Sequence, residues 1–213
     1  MKRQPNFNDI SNISPLQLGL SCSISMLVGM LSIATMSRMV HLGFWLLCGI
    51  PTLTGLIVSL FDDTGLWKLL HILLSALLCS LTFGISLWVA MVGSSNGDAL
   101  ISTILTLFLL TSAGYSGYQI ARKRLNGQAT KQETEYIQIA GRRIAWATIN
   151  RVADRIAMFT PLLIAVGLNT GHMLSQQAIY WIFGGVSLFF SVLAAMGAGG
   201  AVRRVILAAQ DKR

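Results

Sequence analysis

The sequence predicts an all-α polytopic membrane protein, a bundle of about six transmembrane helices with one amphipathic helix on the cytoplasmic face. Three observations predict it: a shortage of charge, long apolar runs, and a one-sided distribution of Lys and Arg. Of the 213 residues, 54% are hydrophobic and 11% charged. A soluble domain carries about 25% charged residues, so this chain lacks the polar surface that water would require. Lipid must take its place.

A span needs about 20 predominantly apolar residues, and the elements follow from that. The first span is expected from about Leu16 to Met36. The polar lead from Met1 to Gln17 is long for a signal peptide, and the run has no convincing cleavage site, so it is read as a retained helix. The second is expected from about Phe44 to Phe61, interrupted by Pro51, which a membrane helix can tolerate. The third covers about Trp67 to Val92 and the fourth about Ala99 to Ala121. The fifth, about 156 to 174, is the weakest, because its strictly apolar part ends at Leu168. A five-span chain, with this segment lying in the interface, is the alternative. The sixth is expected from about Ala178 to Val202.

Charge placement tests the count. With the N-terminus in the cytoplasm and the spans alternating, fifteen of the sixteen Lys and Arg residues fall on the cytoplasmic side, Arg38 alone being outside. That is the bias that fixes membrane orientation, and it also accounts for the net charge of +8 without nucleic-acid binding. Removing the fifth span would put the basic C-terminus outside. The expectation is therefore six spans with both termini cytoplasmic, in a bacterial cytoplasmic membrane. Trp67, Tyr115 and Tyr118 at inner ends, and Trp45, Trp88, Tyr180 and Trp181 at outer ends, agree with the boundaries. Loop lengths differ between the halves, so an inverted repeat has no support.

The one long loop, 122–155, is basic. It opens on Arg122, Lys123 and Arg124, turns at Asn126-Gly127, and from about Thr130 is read as an amphipathic helix leading into the fifth span. Ala145, Ile149, Val152 and Ile156 fall on one face, interleaved with Arg142, Arg143, Arg151 and Arg155, and Trp146 suits either lipid or protein contact. Such a helix is expected to rest on anionic headgroups or to dock a partner protein.

Searches for chemistry return little. HExxH, GxSxG and a phosphate-binding loop are absent, and no carboxylate lies at mid-span for acid–base work. The expectation is therefore no catalytic residue, no cofactor and no metal. Cys22, Cys48 and Cys79 are far apart in sequence and are read as packing residues. The most suggestive pattern is in the third span, where Lys68, His71, Ser75, Cys79, Thr82 and Ser86 recur every three or four residues as one weakly polar stripe. It reads either as the lining of a polar path or, more plainly, as a packing face. Ser21, Ser25 and Gly29 in the first span, and Ala195, Gly197, Gly199 and Gly200 in the sixth, are small-residue faces of the same kind. The function expected is a non-enzymatic component of a larger membrane assembly, such as a secretion or conjugation apparatus, associated with other membrane proteins or with itself. A small transporter or channel subunit using the stripe is the alternative, and an enzyme acting on lipid ranks third.

Overall fold

A computed structural model describes residues 14–37, 46–61, 65–95, 98–126, 136–139, 142–145 and 175–210, with isolated positions between 145 and 155. Five helices carry the architecture: α1 (Pro15–Ser37), α2 (Ile50–Phe61), α3 (Gly65–Ser95), α4 (Ala99–Leu125) and α5 (Gln176–Gln210). Between α4 and α5 lies a two-stranded antiparallel hairpin, β1 (Tyr136–Ile139) and β2 (Arg142–Ala145).

Four of the helices, α1, α3, α4 and α5, are long and apolar enough to cross a bilayer. With no Asp or Glu in any of the five helices, the chain is an integral membrane protein. The first, third, fourth and sixth expected spans are all present. The third, fourth and sixth run longer than expected, because a helix continues beyond the hydrocarbon into its flanks. α5 extends through Arg203 and Arg204, which hydropathy alone places beyond the span.

The second expected span carries a shorter helix than expected, preceded by a turn in a described segment that runs from 46 to 61. α2 has 12 residues, or about 18 Å of helix, against a hydrocarbon core of about 30 Å. Pro51 does not interrupt the helix but begins it, in the first turn where its missing N–H costs no bond. The next donor, the Thr52 N–H, is satisfied by Ser23 Oγ of α1 at 3.3 Å. The segment 156–174 lies outside the described residues.

Local chemistry sets the other ends. Asp98 caps α4, its carboxylate accepting from the Leu100 N–H at 2.9 Å. Arg122, Lys123 and Arg124 fill the last turn of α4, where cations oppose the helix dipole. Ser175 accepts from the Ala178 N–H at the start of α5.

Side-chain contacts give the direction of each helix. Pro15, Cys22 and Gly29 of α1 meet His71, Cys79 and Thr82 of α3, so these two run parallel. Gly93, Ser86 and Phe83 of α3 meet Tyr180, Ser187 and Phe190 of α5, so those two are antiparallel. Trp88 reaches Thr103 and Gly84 meets Leu110, so α4 is antiparallel to α3. α4 and α5 therefore run the same way, although they follow one another in the chain. All six Lys and Arg residues of the five helices, Lys68, Arg122, Lys123, Arg124, Arg203 and Arg204, lie at one end of the bundle.

The core sits where α3 crosses α1 and α5. On α5, Gly184, Ser187, Ser191, Ala195, Ala198 and Ala201 form a buried stripe of small residues. That stripe lets the α3 backbone approach closely, as is usual where lipid supplies no hydrophobic drive between helices. Phe83 stacks on Phe190 with ring centroids 5.1 Å apart. α4 is the outermost helix, with Leu100, Ile104, Leu107 and Phe108 exposed.

Candidate functional site

The polar stripe of α3 faces inward. His71, Ser75, Cys79, Thr82 and Ser86 are all buried, and Lys68 is half-buried at the basic end. Their three- and four-residue spacing puts them on one face of the helix, and that face packs between α1, α2 and α5.

His71 ties three helices together. Its Nε2 lies 3.0 Å from the Pro15 carbonyl at the start of α1, and its Nδ1 lies 3.1 Å from Thr54 Oγ1 of α2. The carbonyl accepts only, so Nε2–H is the donor there. Gly55 makes room for the ring: a Cβ at that position would stand 3.2 Å from Nε2 and 2.6 Å from the Pro15 oxygen. About two turns along α1, Ser23 and Thr52 hydrogen bond at 2.7 Å between α1 and α2. At the other end of the stripe, Ser86 and Ser187 hydrogen bond at 2.7 Å between α3 and α5, both with 0% exposure. Thr82 turns its hydroxyl back to the Leu78 carbonyl and its methyl toward Gly29.

Ser75 is different. It is 1% exposed and its Oγ has no hydrogen-bond partner. It stands beside the thiol of Cys22. Cys79 reaches the Cys22 carbonyl at 3.7 Å, and Cys48 joins the same buried cluster with Met26 and Met30. Three cysteines distant in sequence thus share one apolar, sulfur-rich core. Among the described residues, no group of three His, Cys, Asp or Glu is placed to hold a metal ion. Unbranched thioethers and small thiols fill irregular gaps between helices, and that is their role in this core.

The first part of the basic loop departs from expectation, whereas the described positions 148, 151, 152 and 155 are helical. Over Tyr136–Ile139 and Arg142–Ala145 the chain forms an antiparallel hairpin rather than the amphipathic helix, with Ile139 opposite Arg142 and Gln138 opposite Arg143. Ile137 and Ile139 recur every second residue in YIQI, a strand pattern that helical spacing taken over a longer window obscures, whereas RRIA carries no such alternation. Arg142 and Arg143 therefore belong to β2. Arg151, Val152 and Arg155 are exposed, and Trp146 lies outside the described residues.

Sequence reasoning missed the partners of the stripe. Thr54 and Ser187 are single polar residues in apolar runs, with no signal of their own. The small-residue stripe on α5 did carry one, the regular three- and four-residue spacing from Gly184 to Ala201. Of the small residues singled out near its end, Gly199 meets the Gly114 carbonyl while Gly197 faces open space.

No protein-family model, no curated protein and no solved structure matches this chain.

Proposed function

We propose that the chain is a non-enzymatic integral component of a larger membrane assembly in a bacterial cytoplasmic membrane, such as a secretion or conjugation apparatus. The observation that carries this reading is the use made of the α3 stripe. Its polar side chains join helices: His71 to α1 and α2, and Ser86 to α5. Polarity spent on packing builds a scaffold. The broad apolar surface of α4 then suits contact with lipid or with neighbouring membrane helices, and the basic segment around Arg142, Arg143, Arg151 and Arg155 suits anionic headgroups or a docked protein.

The topology that goes with this is six spans with both ends cytoplasmic. α4 ends at the basic end of the bundle and α5 begins at the opposite end, so the chain between residues 126 and 175 has to return across the bundle height. That return supports a fifth crossing within 156–174. The gathering of basic residues at one end supports its assignment to the cytoplasm.

Mild-detergent purification from the native host, with mass spectrometry of what accompanies the chain, tests the reading. Stoichiometric partners from one apparatus are expected, and Arg142→Glu with Arg143→Glu is expected to release a partner held by the basic segment without changing membrane insertion. A solitary homo-oligomer would instead favour a small transporter or channel subunit. Ser75, buried and unpartnered in mid-stripe, is the observation on that side. In that case Ser75→Ala with Thr82→Val should abolish transport in a protein that still folds.

A further inference from the structure

Where α4 and α5 finish side by side, positive charge accumulates. Arg122, Lys123 and Arg124 close α4, Arg203 and Arg204 stand beside them on α5, and neither helix contains an Asp or Glu. The two backbones are in close contact just before this point: a Cβ on Gly199 would meet the Gly114 carbonyl and stand 3.0 Å from the Tyr118 nitrogen. The charges of the two helices are therefore held together. The Arg203 guanidinium lies 5.9 Å from the centre of the Tyr118 ring, and its Nε is buried without a hydrogen-bond partner.

Two ordinary explanations leave that nitrogen unaccounted for. Cations at a helix C-terminus offset the dipole, which covers Arg122, Lys123 and Arg124. Arg203 is not at a helix end, because α5 continues to Gln210. The positive-inside bias asks for charge at the membrane face, and a fully hydrated side chain meets that demand. It does not call for a buried, unpartnered donor, which is costly in a membrane protein as elsewhere. An anion offering two oxygens to one edge of the guanidinium removes the cost, and phosphate has that geometry.

The surroundings distinguish the source of the phosphate. Val202 and Ile206 flank Arg203 on α5 and are exposed, as is Tyr115 about one turn before Tyr118 on α4, so apolar surface lies next to the site. A ligand with a phosphate at one end and hydrocarbon at the other matches both parts.

We propose that Arg203, with Arg122 and Lys123, forms a site for the phosphate of an anionic phospholipid headgroup at the basic end of the α4–α5 pair. The site is independent of the assembly reading and needs no other protein.

The test uses the full chain purified in a neutral detergent, with lipid retention read by native mass spectrometry and stability by thermal unfolding. Phosphatidylglycerol, phosphatidylcholine and glycerol phosphate are added separately. Phosphatidylglycerol is expected to remain bound and raise the unfolding midpoint, while phosphatidylcholine and glycerol phosphate do neither. Arg203→Gln should bind phosphatidylglycerol roughly tenfold more weakly, the loss expected for a charge-assisted hydrogen bond. Arg203→Lys, which keeps the charge without the planar fork, should fall between, and Lys68→Gln at the same end should match the wild type. If Arg203→Gln does not fold, Arg122→Gln with Lys123→Gln, at exposed positions, is expected to show the same loss. Unchanged phosphatidylglycerol binding in the folded variant, or equal effects of phosphatidylglycerol and phosphatidylcholine, overturns the site. An equal effect of glycerol phosphate overturns the lipid as its source.

Discussion

At the scale of the residue, the hydrogen bonds of His71 can be counted proton by proton. Its Nε2–H donates to the Pro15 carbonyl. In the neutral ring Nδ1 is an acceptor, so the single Thr54 hydroxyl proton must point to it, although the same hydroxyl also lies 2.9 Å from the Ile50 carbonyl. With that proton directed to Nδ1, the ring is satisfied by two other helices. His71→Phe, which keeps the ring but loses both bonds, should lower stability by about 1–3 kcal/mol, measured as the unfolding midpoint in detergent. Lys68→Gln on the same stripe should leave it unchanged, and an unaltered midpoint for His71→Phe would mean that the ring does not brace α1 and α2. Ser86 and Ser187 allow a cleaner measurement. A double-mutant cycle to Ala should return a coupling of about 0.6 kcal/mol, and less than about 1.7 kcal/mol, as other hydrogen bonds between membrane helices do. A coupling of zero would remove the pair as a fastener.

At the scale of the element, packing distance is decided by glycines that face a backbone. Gly117 meets the Met196 carbonyl and Gly199 meets the Gly114 carbonyl, whereas Gly185 and Gly197 have open space in front of them. Gly199→Leu should therefore force α4 and α5 apart and cost about 1–3 kcal/mol or abolish folding, while Gly197→Leu on the next face should be tolerated. Expression level and unfolding midpoint compare the two directly, and equal behaviour would contradict the α4–α5 contact. Sequence spacing identified the region as small-residue packing, but four candidates looked equivalent on paper. Which of them touches a neighbour depends on how α5 is rotated about its axis, and that is set by partners far away in the chain.

At the scale of the whole molecule, the parallel course of α4 and α5 has a consequence for topology. In a background with Cys22, Cys48 and Cys79 replaced by Ala, Asn126→Cys and Ser175→Cys should be labelled by an impermeant maleimide from opposite sides of the membrane. Labelling from the same side would mean that the segment between them does not cross. If the basic end of the bundle is the cytoplasmic one, as proposed, Asn126→Cys should further be reached from the cytoplasm.

The residues alone determined the class of this protein. Scarce charge, long apolar runs and a single-sided basic pattern point to a membrane bundle, and they locate α1, α3, α4 and α5 while stopping short of the C-terminal ends of α4 and α5. The stripe from Lys68 to Ser86 was legible too, because a helix returns to the same face every three or four residues. Its meaning was not. A polar face reads alike whether it lines a path or packs against Pro15, Thr54 and Ser187, and the difference lies in contacts between residues up to 101 positions apart. The convergence of Cys22, Cys48 and Cys79, the shortness of α2 and the hairpin at Tyr136–Ala145 were likewise decided by tertiary structure. Hydropathy reports how strongly a segment prefers lipid to water, but not which neighbours it meets or where its backbone bends.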